Sequence, residues 1–357
     1  MSRINTFLEL VIRQGGSDLH MVSGLTPRIR IHGRLEPIRF RELSEHEIDR
    51  ILQEFMTPTQ RDRLDRDLNV DFAYKVEGMG RFRVNAYRHV HGIAAAFRVI
   101  PTEVPSLANA GLPEIIGHNV QTPRGLTLVT GPTGSGKSTT LAAMIDHINA
   151  TRKGHIITIE DPVEFIHPFK SCSITQREVG PDSPSFHAAL RDALREDPDV
   201  VLVGEMRDLE TIHLALTAAE TGVQVLGTLH TNGAVRSIDR LVSVFPARVQ
   251  DQIRAVLADS LRMVVSQQLA RKADGSGRVV VPEILINTQS ASAMIRTGKA
   301  HQLQSVIQAG GRVGMCSLDA GLEDLVRKEI IAGEEAYERA IEKPRFERYL
   351  VETGAMA

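Results

Sequence analysis

Residues 131–138 read Gly-Pro-Thr-Gly-Ser-Gly-Lys-Ser, a G-x-x-x-x-G-K-[ST] octapeptide set between an apolar run ending at Thr130 and a helical pattern through Thr140, Leu141, Met144, Ile145 and Ile148. This string fixes more of the fold than any other part of the chain. Its glycines let the backbone curl so that successive N–H groups face one anion, and the helix that follows adds its positive end. Gly131, Pro132, Thr133, Gly134, Ser135, Gly136, Lys137, Ser138 and the next residue, Thr139, are therefore the expected cradle for ATP. In such a loop the lysine reaches the β/γ-phosphate oxygens and the Ser138 hydroxyl ligates Mg²⁺.

The flanking sequence has a matching grammar. Short apolar runs at 126–129, 156–159, 200–203 and 225–229 alternate with helical patterns at 138–151, 184–196 and 208–220. Buried parallel strands joined by crossover helices are the architecture that this alternation predicts. Ligands of such sheets bind beyond the C-terminal strand ends, so polar residues just after each run become candidates. Glu160-Asp161-Pro162-Val163-Glu164 follows the second run. A carboxylate there can orient or deprotonate a water attacking the γ-phosphate, although the same string also reads as a solvated Asp-Pro turn. Gly204-Glu205 follows the third run; Glu205 stands where an aspartate is usual and acts on the metal directly, through water, or as a structural acid. His230 follows the fourth, where it can sense the γ-phosphate, although a lone strand-end histidine also serves structural ends.

Residues 1–100 read differently, as an α+β domain. Ile4, Phe7, Leu8, Val11 and Ile12 recur at helical spacing up to Gly15-Gly16. Arg28–Ile31 and Leu35–Ile38 flank His32-Gly33-Arg34 as a hairpin, and Ser44-Glu45-His46-Glu47 is a capping box opening a helix along Ile48, Ile51, Leu52 and Phe55. Asp71–Lys75, Arg81–Arg88 and Ile93–Ile100 form an antiparallel meander. A hairpin centred between Val90 and His91 sets Arg83 opposite Arg98. Like charges opposed on a sheet are destabilising, so either a shared anion resolves the pair, or the register differs and each arginine is solvated or locally paired. The Pro- and Gly-punctuated stretch 101–123 reads as a linker with at most a short helix, 124–285 as the nucleotide-binding core, and 286–357 as a helical C-terminal region.

Composition narrows the function classes. With 42 Lys+Arg against 44 Asp+Glu, 4% aromatic residues and no Trp, there is little for phosphate tracking or base stacking, so no direct nucleic-acid partner is expected. No apolar run approaches the ~18 residues a membrane span needs, and the start, Met1-Ser2-Arg3-Ile4-Asn5, leads into an amphipathic stretch, so a soluble cytosolic protein is expected. Cys172 and Cys316 are too few for a disulfide framework or a four-cysteine zinc site and read as small buried or half-buried thiols.

With these residues in place, the chain resembles the secretion-superfamily ATPases, and most closely the PilT family of type IV pilus retraction ATPases. The likeness runs through Ser17-Asp18-Leu19-His20, Arg81–Asn85, the phosphate loop, Thr158–Phe165, Leu194–Asp199 and Gly204-Glu205-Met206-Arg207-Asp208. It implies an α/β architecture in which a PAS-like N-terminal α+β domain precedes a RecA-like P-loop NTPase domain with a helical C-terminal appendage. It also implies a homohexameric ring that turns ATP hydrolysis into motion of the inner-membrane pilus platform protein. The protein would then be cytoplasmic and peripheral at the inner face of the inner membrane, with a paralogous retraction ATPase as a further partner. In family terms Glu164 is the catalytic carboxylate, Glu205 the acid of the second nucleotide motif and a metal residue beside Ser138, and His230 the histidine-box residue. Arg83 and Arg98 match an arginine pair placed on the nucleotide phosphates.

Two departures from the family pattern stand out. Val223 replaces a second histidine, and Ser290-Ala291-Ser292-Ala293-Met294-Ile295-Arg296-Thr297 replaces Ala-Ile-Arg-Asn-Leu-Ile-Arg-Glu, losing the first arginine and the glutamate. They leave two readings, a principal retraction motor or an accessory retraction paralogue. Assembly and type II secretion relatives fit less well, since they add an N-terminal domain and a four-cysteine metal site that two cysteines cannot build.

Overall fold

A computed structural model of the chain describes residues 2–31, 33–100 and 103–352. His32 of the expected turn, Pro101 at the start of the expected linker and residues 353–357 of the C-terminal region lie outside the described residues. The chain divides into two compact units, Met1–Glu103 and Val104–Ala357.

The first unit runs α1 (Arg3–Arg13), β1 (Asp18–Val22), β2 (Arg28–Ile31), β3 (Arg34–Pro37), α2 (Glu45–Gln53), α3 (Pro58–Asp67), β4 (Asn69–Val76), β5 (Gly80–His89) and β6 (Gly92–Ile100). Its six strands form one antiparallel sheet in the order β3-β2-β1-β6-β5-β4. The apolar positions spaced along α1 and α2 cover one face of this sheet. Ile4, Leu8 and Val11, with Ile48, Ile51 and Leu52, share a core with Phe82, Val84, Ala86 and Phe97. Alternation along β5 then turns Arg81, Arg83 and Asn85 to the other face. The Ser44–Glu47 capping box is present, and a second one, Thr57–Gln60, opens α3. Sequence periodicity misses α3 because Leu64 is its single buried residue.

The second unit begins with α4 (Glu114–Val120), β7 (Gly125–Thr130), α5 (Lys137–Thr151), β8 (His155–Glu160), β9 (Ser173–Glu178), α6 (Phe186–Ala193), β10 (Val200–Val203), α7 (Leu209–Glu220) and β11 (Gln224–Leu229). It continues through α8 (Ala234–Ser243), α9 (Gln250–Ser260), β12 (Leu261–Arg271), β13 (Arg278–Ile286), α10 (Gln289–Arg296), α11 (Leu303–Ala309), α12 (Leu318–Arg327), α13 (Gly333–Arg339) and α14 (Glu347–Glu352). The seven-stranded sheet has the order β13-β12-β7-β11-β10-β8-β9 and is parallel except for β13. The four apolar runs are β7, β8, β10 and β11. Three strands escape the sequence pattern: β9 carries polar Thr175, Gln176 and Arg177 at the sheet edge, β12 follows α9 without a break, and β13 runs antiparallel.

The stretch expected to be a linker needs correction. Leu112, Ile116 and Val120 are buried in the same core as Leu141, Met144, Ile145 and Ile148 of α5, so the second unit already begins at Val104. Prolines and glycines break that stretch into short pieces, but the apolar residues between them still pack. In the C-terminal region Leu318, Leu322, Ile331, Ala336 and Phe346 cluster on Ala270 of β12 and Val281 of β13.

Candidate nucleotide site

The phosphate loop leaves the end of β7, the strand between β11 and β12, and closes into α5. Gly131 has φ +142°, and a Cβ there would lie 2.3 Å from the Gln267 carbonyl oxygen, so no side chain fits. Gly136, at φ +87°, turns the chain into the first residue of α5. Gln267 braces the loop from β12: its amide donates to the Ser135 carbonyl at 2.7 Å and accepts from the Thr140 hydroxyl at 2.8 Å. Sequence reasoning missed this residue, which stands among the polar Ser266 and Gln268 of a strand whose apolar pattern is broken.

The cradle suits phosphate. The Ser135 hydroxyl is buried and has no hydrogen-bond partner among the described residues, an uncompensated donor of the kind an anion would satisfy. The Lys137 ammonium donates to the carbonyls of Gly131 and Pro132 at 2.9 and 3.0 Å, folded back across the loop. Burial lowers the Lys137 pKa, and the charges of Glu205 and Glu164 oppose that shift. Ser138 and Thr139 lie half-buried in the first turn of α5.

Glu164 sits on an extended segment laced to β9. Val163, Phe165 and His167 are buried, while Glu164 is exposed between them. The Val163 N–H donates to Glu178 at 3.2 Å, the His167 N–H to Gln176 at 2.9 Å, and the Gln176 amide to the Phe165 carbonyl at 2.8 Å. The string is thus no freely solvated turn. Glu160, at the end of β8, accepts from the Thr158 hydroxyl at 2.7 Å, and burial pushes its carboxyl up to about 7.

Glu205 and His230 meet: His230 Nε2 lies 3.1 Å from Glu205 Oε1, and Arg207 also pairs with that oxygen. Burial raises the Glu205 pKa, but Arg207 and His230 outweigh it and hold the carboxyl below its ordinary value. Asp208 caps α7 by accepting from the Thr211 N–H and hydroxyl, both at 2.8 Å, which fixes the turn that presents Glu205.

In the first unit, Arg83 and Arg98 are register partners between β5 and β6, as the hairpin centre predicted. Each nevertheless has a carboxylate: Arg83 Nη2 lies 2.6 Å from Asp71, and Arg98 Nε donates to Asp18 at 2.9 Å. Asp18 stands beside Arg98 in register and also meets Arg30 at 3.6 Å. The two alternatives at this pair are therefore not exclusive: the register holds and the local pairing holds with it, so repulsion alone does not demand a shared anion.

Comparison with known proteins follows the same residues. A family profile described as type II/IV secretion system protein matches residues 1–347. The chain is 49% identical over 337 residues to the type IV pilus retraction ATPase PilT of Pseudomonas aeruginosa, covering 94% of this chain and 98% of the relative. It is 40% identical to the type IV pilus ATPase PilU of the same organism, covering 94% and 86%. A crystal structure of the pilus retraction motor PilT with bound ADP superposes with a TM-score of 0.91 at 42% identity, covering 97% of this chain and 99% of that one.

Proposed function

The chain belongs to the type II/IV secretion system protein family, and from that premise we propose that it is a Mg²⁺-dependent, ring-forming motor of type IV pilus retraction. It is an ATP hydrolase of the P-loop class, in keeping with relatives that are ATPases and a structural neighbour that holds ADP. One observation carries the mechanistic reading: at the start of α5 the glycine turn brings together a buried Ser135 hydroxyl with no partner among the described residues and the Lys137 ammonium folded across the loop.

In this reading the backbone N–H groups of 131–136 cradle the phosphates and Lys137 neutralises the β/γ oxygens. Ser138 would hold Mg²⁺, with Glu205 as the acid that would assist, directly or through water. When bound, the ion neutralises charge building on the β- and γ-phosphates. Glu164 orients the attacking water and takes its proton. His230 faces the γ-phosphate, and its contact with Glu205 ties that position to the metal side of the site. Arg83 and Arg98 supply guanidinium charge to the phosphates, within one chain or from a neighbour in a homohexamer.

Force would be delivered to a pilus platform protein at the inner face of the inner membrane. No helix of the described residues is long and apolar enough to cross a membrane, so membrane attachment would be peripheral. The departures at Val223 and 290–297 support a second reading, an accessory motor working beside a principal one. The higher identity to PilT than to PilU favours the first. Deleting the gene in its host tests the proposal: excess surface pili with loss of twitching are expected, and unchanged pili and motility would contradict it.

A further inference from the structure

One buried hydroxyl fastens the loop after His230 to the strand that enters the phosphate loop. Ser237, in the first turns of α8, is fully buried. Its Oγ lies 2.7 Å from the Thr231 hydroxyl, 2.7 Å from the Gly233 carbonyl and 3.1 Å from the Thr130 hydroxyl. A serine hydroxyl offers one proton and two acceptor sites. That proton is placed to reach the Gly233 carbonyl or the Thr130 hydroxyl, and the Thr231 hydroxyl can serve as donor to Ser237.

Two further buried groups anchor the same turn. Ser266 accepts from the Gly233 N–H at 2.8 Å, and Glu283 accepts from the Ala234 N–H at 2.7 Å. Ser266 pairs in register with Thr130 on one side and Glu283 on the other. Thr130 immediately precedes Gly131, and Thr231 immediately follows His230. Three hydroxyls therefore join the phosphate loop to the residue that meets Glu205, with no intervening residue at either end. Ser237 is fully buried, as are Ala234 and Leu241 of the same helix, and its hydroxyl is the polar group that reaches both threonines.

We propose that Ser237 is a positioning residue for hydrolysis, holding the His230 loop in register with the phosphate loop through Thr231 and Thr130. The inference rests on the assignment of His230 to the γ-phosphate side of the site. It predicts that the linkage affects the chemical step and leaves nucleotide binding, which depends on the cradle itself, in place.

The test uses the full-length protein with Ser237→Ala, the near-isosteric Thr231→Val, the double variant, the hydroxyl-retaining Ser237→Thr, and His230→Ala in parallel. For each, kcat, KM, ADP affinity and Tm are measured. A fraction-of-an-ångström shift of a sensing loop is expected to lower kcat about tenfold in Ser237→Ala and in Thr231→Val. KM and ADP affinity should stay within about twofold, since uniform binding is untouched. The double variant should fall no further than the slower single, and Ser237→Thr should recover most of the loss. Wild-type kcat in folded Thr231→Val or Ser237→Ala overturns the proposal, as does a parallel loss of ADP affinity or a multiplicative loss in the double variant. Wild-type kcat in His230→Ala would remove the assignment on which it rests. A slow His230→Ala beside normal Ser237→Ala and Thr231→Val would defeat this proposal alone.

Discussion

Arg83 and Arg98 face each other across the β5–β6 ladder while their guanidinium groups are held by separate carboxylates, Asp71 and Asp18. The Arg83–Asp71 pair is exposed on both sides, so its stabilisation is at most about 1 kcal/mol. Arg83→Ala should therefore fold with nearly wild-type Tm, and if the arginines serve the phosphates, its turnover should fall by ~10³-fold or more, the low side of what an arginine finger supplies. Arg98→Ala should lose as much turnover. Well-folded variants of both with wild-type turnover at saturating ATP would leave the pair a structural feature of the sheet.

Lys137→Ala removes the ammonium that now bridges the Gly131 and Pro132 carbonyls and that would neutralise the β/γ-phosphates. Titration calorimetry should show ADP and ATP binding lost or severely weakened. Hydrolysis near the wild-type rate would rule out the phosphate-loop reading.

Glu160 gives a pH signature. Burial raises its carboxyl to about 7 from an ordinary 4.5. The folded state therefore keeps a proton that the unfolded chain releases, and its contribution to stability is present below pH 4.5 and is lost as pH rises toward 7. Glu160→Gln stays neutral throughout. Its Tm should exceed the wild-type value at pH 8, with the gap closing as pH falls toward 4.5. A gap that does not change with pH would show that Glu160 ionises normally.

Much of the site was legible because its residues are punctuated by the sheet itself. The runs that became β7, β8, β10 and β11 are continuous apolar segments, and the candidate residues stand just beyond their ends. The hairpin register was legible as well, since a single turn at 90–91 fixes every pair from Arg88–Ile93 to Arg81–Ile100. What escaped was built across the chain. Gln267, Ser266 and Glu283 belong to strands whose polar residues blur the apolar pattern, and their roles depend on partners 132, 33 and 49 residues away. Asp18 and Asp71 escaped likewise: the insertion of β1 beside β6, which brings Asp18 to Arg98, is a long-range pairing that no local periodicity encodes.

The assignment of Glu164 as the group that activates water is tested most directly by steady-state MgATP turnover of Glu164→Gln, with nucleotide affinity measured on the same sample. The amide keeps the size of the side chain but cannot take a proton, so affinity should stay near the wild-type value while turnover falls by ~10²-fold or more. Full turnover in Glu164→Gln, with the loss appearing in Glu205→Gln instead, would contradict the assignment and exchange the roles of the two acids.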